Sequence, residues 1–286
     1  MVEVAPEPFV TVVTPAFRAA RWIEGALRTV AEQREGGRVR VEHLVLDGGP
    51  DDGSAAIAAR FAHPDTRYVR RPDAGPADAI SRGFAEGRGA FLAWLNADDL
   101  LAPGSLARSA AALARRPRAA FSFGRCPIVD ADGREIRRFV TRFKEAWFPL
   151  SCRAAIRTLN YVSQPSVLIR RSAWEAAGPL RTDLRAAWDY DLWLRLWRRG
   201  GAVRVPGREP LAFFRWTPDS ISGANYERQF AEELAVARAD AGRLAPSALL
   251  HFLVARGIVF CYRRMAPAAR GDALARGGLT PPAAKR

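Results

Sequence analysis

Lysine is almost absent from this chain of 286 residues. All but two of its 44 basic residues are arginine, the exceptions being Lys144 and Lys285. Cysteine is nearly as scarce. Cys126, Cys152 and Cys261 are odd in number, far apart and lack any Cys-x-x-Cys spacing. That argues against a disulfide-stapled secreted fold and for reduced thiols in a cytosolic protein. The three histidines, His43, His63 and His251, form no zinc-finger spacing. No apolar run is long enough to span a bilayer, since the longest, Ala248 to Tyr262, is broken by His251 and Arg256. The acidic, proline-containing start from Met1 to Pro8 does not read as a signal peptide, and no internal repeat is found.

What is present is a core and a charge. A hydrophobic content of 49% excludes general disorder. The formal charge of +14 favours an anionic partner, such as a phosphate-bearing substrate or an acidic membrane surface. The basic residues are scattered, so nucleic acid ranks last among these and is not expected as a partner.

Along the chain, strand and helix alternate. Phe9 to Thr14, Val41 to Leu46, Arg67 to Arg70, Ala90 to Leu95 and Ala119 to Phe123 read as strands. Helices are expected over Ala20 to Glu32, after a Ser54 cap, from Gly75 to Glu86 and from Pro103 to Arg115. Short connections between them predict an α/β fold with a single, mostly parallel central sheet and helices on both faces. Beyond residue 125, Ile128-Val129 and Ile136 to Val140 flank a hairpin turn, and Gln164 to Ile169 is a further strand. Ala187 to Trp197 is helical, Val203 to Val205 and Leu211 to Trp216 are late strands, and Ala224 to Ala241 is a long helix. Further C-terminal helix follows, ending in a Gly/Pro/Ala-rich tail expected to be disordered.

The most informative stretch is Leu95-Asn96-Ala97-Asp98-Asp99, where an apolar strand ends in an amide and two carboxylates. Hard cations such as Mg²⁺ and Mn²⁺ take such oxygens together with substrate phosphate. A turn-forming or capping role is the ordinary alternative. Thr14-Pro15 and Asp47 also lie at strand ends, where open α/β sheets bind ligands.

Several ordered motifs carry a resemblance. They are Val12-Val13-Thr14-Pro15, Leu46-Asp47-Gly48-Gly49-Pro50-Asp51-Asp52-Gly53-Ser54, Pro72-Asp73-Ala74-Gly75, Asp78-Ala79 with Arg82-Gly83, Leu95 to Asp99, Asp189 to Leu196, and Phe214-Arg215. From Phe9 to Ala241 the chain resembles family 2 glycosyltransferases, inverting enzymes with the nucleotide-diphospho-sugar transferase fold.

The resemblance implies a catalytic domain over residues 1–243, divided into a nucleotide-sugar half (9–124) and an acceptor half (125–243). A basic C-terminal helix and tail would occupy 244–286. It also implies transfer of a sugar from a nucleoside-diphosphate sugar, most often a UDP-sugar, to a sugar or lipid-linked hydroxyl acceptor in bacterial polysaccharide or glycolipid assembly. Thr14, Pro15, Asp47, Asp73, Arg82, Asn96 and Arg215 would bind substrate, Asp47 holding the nucleobase and the arginines the diphosphate. Asp98 and Asp99 would hold a divalent cation, Mg or Mn, with Asp99 alternatively orienting the loop. Asp189 would be the general base, preferred over Asp191, with helix capping as its bland alternative.

Two departures stand out. Asn96 occupies the position where many relatives have an aspartate, and the segment Phe214-Arg215-Trp216-Thr217-Pro218, near which many relatives carry a histidine, has none. Trp188, Trp193 and Trp197 fall at helical spacing and are expected in the core, whereas Trp216 is the better candidate to line an acceptor groove. A sugar nucleotidyltransferase, or a catalytically weak basic scaffold binding anionic lipid or polymer, are the alternative readings. The location expected is cytoplasmic, peripheral at the inner membrane.

Overall fold

A computed structural model describes residues 7–35, 38–217 and 226–265. A seven-stranded sheet organises the fold. Its strands are β1 (Phe9–Ala16), β2 (Arg40–Asp47), β3 (Thr66–Arg70), β4 (Phe91–Trp94), β6 (Phe121–Phe123), β9 (Leu168–Arg170) and β10 (Ala202–Arg204), ordered β10-β6-β9-β4-β1-β2-β3. All neighbours are parallel except β9, which runs antiparallel to both β4 and β6. Val10 and Val12 on one face of β1 and Val13 on the other are fully buried, as a central strand covered by helices on both sides requires.

A smaller sheet is built from β5 (Leu100–Leu101), β7 (Ile128–Val129), β8 (Glu135–Ile136) and β11 (Ala212–Arg215), in the order β5-β11-β7-β8. Because β5 begins immediately after Asp99 and pairs with β11, it brings Arg215 beside the acidic cluster.

The helices α1 (Ile23–Glu32), α2 (Ser54–Ala59), α3 (Pro76–Glu86) and α4 (Ser105–Ala114) alternate with the first strands as the apolar periodicity requires. Gly83 lets α3 lie close on the sheet, since a Cβ there would stand 2.6 Å from Val13. Ser54 is the first residue of α2 and not its cap; Gly53 takes a positive φ, and Asp52 Oδ1 accepts the Ser54 N–H at 2.9 Å.

The second half departs further from the sequence reading. The second arm of the hairpin stops at Ile136, and α5 (Arg138–Ala146) replaces the expected strand through Val140. Its inward positions Thr141 and Lys144 are three apart, a helical and not a strand period. The segment Gln164–Ser166 is a 3₁₀ turn, because Pro165 has no N–H for a ladder, and β9 starts only at Leu168. Two short helices, α6 (Arg153–Thr158) and α7 (Arg171–Ala177), were not foreseen. Helix α8 (Trp188–Gly200) and the helices Tyr226–Ala241 and Pro246–Met265 complete the described chain. Pro218, the start of the long helix at Ala224 and the tail beyond Met265 lie outside the described residues.

Several arginines hold this framework from inside. Arg171 donates to the carbonyls of Phe84, Gly87 and Gly89, Arg170 to those of Leu113 and Ala119, and Arg195 to those of Ala177, Gly178 and Pro179. Asp240 gathers Arg153, Arg157 and Arg198, tying the Tyr226–Ala241 helix to α6 and α8. Part of the positive charge is therefore structural.

Candidate active site

The carboxyl ends of β1, β2 and β4 open on one crevice, aligned by pairings such as Ala16 with Asp47 and Val13 with Trp94. Asp47 closes β2 and is only 2% exposed. Its Oδ1 accepts the Gly49 N–H at 2.8 Å, and its Oδ2 accepts from the Tyr68 hydroxyl and from Arg70 Nε at 3.4 Å. An ionised carboxylate has about four acceptor positions, and three of these are filled from within the fold. Gly48 packs so tightly against the Asp73 carboxylate that a Cβ would collide with it. Asp73 in turn accepts the Gly75 N–H at 2.8 Å. The Asp47-Gly48 and Asp73 motifs, 26 positions apart by number, thus form one wall.

Three expected substrate ligands are used differently. The Thr14 hydroxyl turns inward and pairs with His43 Nε2 at 2.8 Å, so its side chain is withdrawn from any ligand. Burial, aided by nearby Arg34, pushes the His43 pKa down to about 3 and keeps that ring neutral. Arg82 is engaged by Asp78 at 3.1 Å and by the Pro72 carbonyl at 3.3 Å, clamping the Asp73 loop. Arg215 is a strut: Nε donates to the Asp98 carbonyl at 2.9 Å, Nη1 to those of Asp130 and Ala131, and its plane lies over Trp22. Pro15 stays at the strand end, partly exposed.

The acidic cluster divides its labour. Asp99 is fully buried; its Oδ1 accepts the Arg215 backbone N–H at 2.9 Å and its Oδ2 the Asn96 amide at 3.1 Å. These bonds make it an anchor of the loop, the second of the two roles expected for it. Burial first, and the Asp98 charge second, raise its pKa well above the ordinary range. Asn96 also donates to Gln164 Oε1 at 3.3 Å, and Gln164 donates to the Trp94 carbonyl at 2.8 Å. Asp98 is the open member, partly exposed, with no side chain donating to it among the described residues. Desolvation raises its pKa and Arg215 opposes the rise. A carboxylate that is poorly solvated and unpaired suits a hard cation. No group of three His, Cys, Asp or Glu side chains assembles around it among the described residues. The donor set therefore fits Mg²⁺ or Mn²⁺ in one way, shared between Asp98 and substrate phosphate oxygens.

Helix α8 carries Asp189 in its first turn. The helix is fastened to the acidic strand through tryptophan. Trp94, two residues before Asn96, stacks on Trp193 (ring centroids 5.4 Å apart, planes 15°) and meets Trp188 at 5.6 Å. The N-terminal approach to α8 is capped from outside, where Glu232 accepts the N–H groups of Arg185, Ala186 and Ala187 at 2.8 to 3.2 Å. Asp189 is thereby spared most of that task, although it accepts the Tyr190 N–H at 2.6 Å. It retains partial exposure, yet surrounding protein desolvates it and pushes its pKa up to about 6. Asp191 is committed elsewhere, bound to Arg195 at 2.8 Å with Arg181 at 3.8 Å.

Two neighbours of Asp189 escaped the sequence reading. Glu233 is 3% exposed and accepts from Asn160 and Gln229 at 3.2 and 3.1 Å; burial pushes its pKa up to about 7, and the Asp189 charge adds to the rise. Lys144 donates to Ser163 Oγ at 3.4 Å and lies within electrostatic reach of Asp189, Glu233 and Cys126, favouring ionisation of each. It lines a narrow cavity with Tyr161 and with Thr141, whose buried hydroxyl finds no protein partner among the described residues. A signal for Lys144 existed, because the chain uses arginine nearly everywhere else. Trp216 is partly exposed, with the Arg137 guanidinium 3.7 Å from its ring centroid.

Comparison with known proteins agrees with this architecture. The chain is 30% identical to a protein of Mycobacterium tuberculosis, over 70% of this chain and 65% of that one. It is 24% identical to the putative teichuronic acid biosynthesis glycosyltransferase TuaG of Bacillus subtilis, over 77% and 84%. With the O-antigen biosynthesis protein RfbC of Myxococcus xanthus it shares 29% identity over 66% of this chain, which spans only 14% of that protein. Among solved structures, S. aureus TarS with UDP-GlcNAc superposes with a TM-score of 0.65 at 14% identity, covering 83% of this chain and 67% of that one. The mannosyltransferase PcManGT of Pyrobaculum calidifontis, with GDP-Man and Mn²⁺, gives 0.61 at 18% identity, over 92% and 81%. These likenesses establish the fold. The sequence model of glycosyl transferase family 2 matches residues 11–176, more than half of the chain, and the protein belongs to that family.

Proposed function

We propose that this protein is an inverting glycosyltransferase that moves a sugar from a nucleoside-diphosphate sugar, a UDP-sugar first, to a hydroxyl acceptor in bacterial polysaccharide or glycolipid assembly. The observation that carries the proposal is that Asp98, just beyond the end of β4, and Asp189, on the helix that Trp94 fastens to that strand, are each partly exposed and each have a raised pKa. Perturbed carboxylates in a cleft mark functional sites, and a base near pH 6 is suited to taking a proton at neutral pH. The relatives named for teichuronic acid and O-antigen biosynthesis support the setting.

In this reading residues 9–124 hold the donor, with Asp47 and the Gly48–Asp73 wall receiving the nucleoside. Residues 125–243 hold the acceptor. Asp189 accepts the proton of the acceptor hydroxyl as that oxygen attacks the anomeric carbon opposite the departing diphosphate, which inverts the centre. Glu233 and Lys144 set the charge around that carboxylate. Asp98 would hold the divalent cation, whose bound form stabilises negative charge on the leaving diphosphate. Asp99, Arg82 and Arg215 fix the walls. The location proposed is the cytoplasmic side of the inner membrane; no helix among the described residues is long and apolar enough to cross a bilayer.

The test is release of nucleoside diphosphate from a panel of UDP- and GDP-sugars, with Mn²⁺ or chelator, and with product anomers read by NMR. No release from any donor under any metal condition rejects enzymatic transfer in favour of a binding scaffold. Retention of configuration rejects the single displacement.

A further inference from the structure

We infer that the outer faces of α5 and of the Pro246–Met265 helix form one docking surface for a bilayer rich in anionic phospholipid. Among the described residues, seven of the eight exposed large apolar side chains fall in two short segments. Phe139, Phe143 and Leu150 lie on and just after α5, and Leu244, Leu249, Leu250 and Leu253 lie on and just before the C-terminal helix. Phe139 is 81% exposed and Leu253 63%.

Both helices are docked by their other faces, so the exposure is not that of loose ends. In the C-terminal helix Ala248, His251 and Ala255 turn inward, and His251 Nδ1 meets the Arg157 carbonyl at 3.0 Å. The side facing solvent is then the one carrying Leu249, Leu250, Leu253 and Arg256. In α5, Thr141 and Lys144 face the cavity beside the candidate base, while Arg138, Phe139, Arg142 and Phe143 face out. Helix α6 begins three residues after Leu150, carries Arg157 and packs against the Pro246–Met265 helix.

Charge selects the occupant. No acidic residue occurs between Asp240 and Asp272, a stretch containing Arg243 and Arg256, and none occurs from Arg137 to Lys144. Arg142 is exposed with no acidic partner among the described residues. A surface of aromatic and leucyl side chains ringed by arginine matches an interfacial element that buries its apolar groups at the headgroup boundary and meets anionic headgroups with its cations. Neutral surfaces offer nothing to the arginines. The lipid surface stands on these observations alone. Its use rests on the glycosyltransfer reading: α5 would then touch the membrane with one face and the catalytic crevice with the other, presenting a lipid-linked acceptor hydroxyl to Asp189.

The experiment is co-sedimentation of the full chain with vesicles of phosphatidylcholine alone and of phosphatidylcholine mixed with phosphatidylglycerol. The proteins compared are wild type, Phe139→Ser/Phe143→Ser, Leu249→Ser/Leu253→Ser and Arg142→Gln/Arg256→Gln. Expected is binding to the anionic vesicles only, weakened by salt. Each apolar pair should lower it by roughly tenfold or more, and each arginine by about fivefold, at unchanged thermal midpoint. Binding that ignores lipid charge, absence of binding, or variants equal to wild type overturns the proposal. So does sedimentation equilibrium showing that the apolar variants dissociate a dimer without changing vesicle binding. Because this readout needs no turnover, it fails or succeeds independently of the sugar-transfer assay. A variant that binds vesicles poorly yet still releases nucleoside diphosphate in water separates docking from chemistry.

Discussion

Replacing Asp189 by asparagine should make the protein more stable and inactive at once. In the folded chain its pKa rises from 3.8 to about 6, mainly because burial penalises the charge. The sign follows from linkage. Below about pH 4 the carboxyl is neutral in both folded and unfolded chains and costs nothing. As pH rises toward 6, the unfolded chain gives up its proton and the folded one resists, so stability falls. Above pH 6 the cost is complete, and two pKa units correspond to about 3 kcal/mol. Partial exposure of the carboxylate screens this to about 1–3 kcal/mol.

Asparagine keeps the shape and the acceptor for the Tyr190 N–H but carries no charge. Asp189→Asn should therefore raise the unfolding midpoint by about 2–8 °C at pH 8, with the gain vanishing near pH 4. Transfer should drop by about 10²–10⁴-fold. The wild-type kcat/KM should fall about tenfold per unit below pH 6, the limb of a single base. If Asp189 merely served the helix terminus, its charge would be favourable by about 0.3–1 kcal/mol. The asparagine variant would then be slightly less stable at pH 8. That outcome, or a wild-type rate that is flat down to pH 5, refutes the assignment.

Removing the Lys144 charge with Lys144→Met should move the acid limb of the pH profile upward, because the ammonium favours ionised Asp189; a restored limb in Lys144→Arg distinguishes charge from packing. Asp98→Asn should weaken nucleotide binding in the presence of Mn²⁺ while leaving metal-free binding unchanged, as read by calorimetry. Asp99→Leu should instead lower stability by several kcal/mol, since it strands the buried Arg215 and Asn96 donors. Asp240 is held below the ordinary carboxylate range, despite burial, by Arg157, Arg198 and Arg153. Its contribution should be present above about pH 4 and fade as pH drops through its lowered pKa, and Asp240→Asn should flatten that part of the acid-unfolding curve.

The sheet was legible because its strands are buried on both faces and end at Asp47, Asn96 and neighbouring polar residues, so period and punctuation agree. The helix read as a strand at Ile136 to Val140 shows the limit. Val140 and Ile136 are β-branched, and only the tertiary demand that Thr141 and Lys144 face a cavity reveals the helical period. Asp47, Asp73, Asp98 and Asp189 were visible at element ends. What could not be seen was which side chains the fold would spend on itself. Arg82, Arg215, Thr14 and Asp99 have the right chemistry for a ligand, but the fold engages each: Arg82 by Asp78 and the Pro72 carbonyl, Arg215 by the carbonyls of Asp98, Asp130 and Ala131, Thr14 by His43, and Asp99 by the Arg215 N–H and the Asn96 amide. Glu232 and Glu233 are adjacent in a plain amphipathic helix, and nothing local separates a cap from a neighbour of the base.

The stacked Trp94–Trp193 pair has an evolutionary consequence. It locks the strand leading to Asp98 to the helix bearing Asp189 below the floor of the crevice, out of reach of any ligand. The separation between the two carboxylates is therefore inherited from the core, and the rim around it is free to diverge. Loops and α5 can exchange side chains to greet a new acceptor without moving the reacting groups apart. A scaffold arranged so would diversify its products quickly while its chemistry stood still.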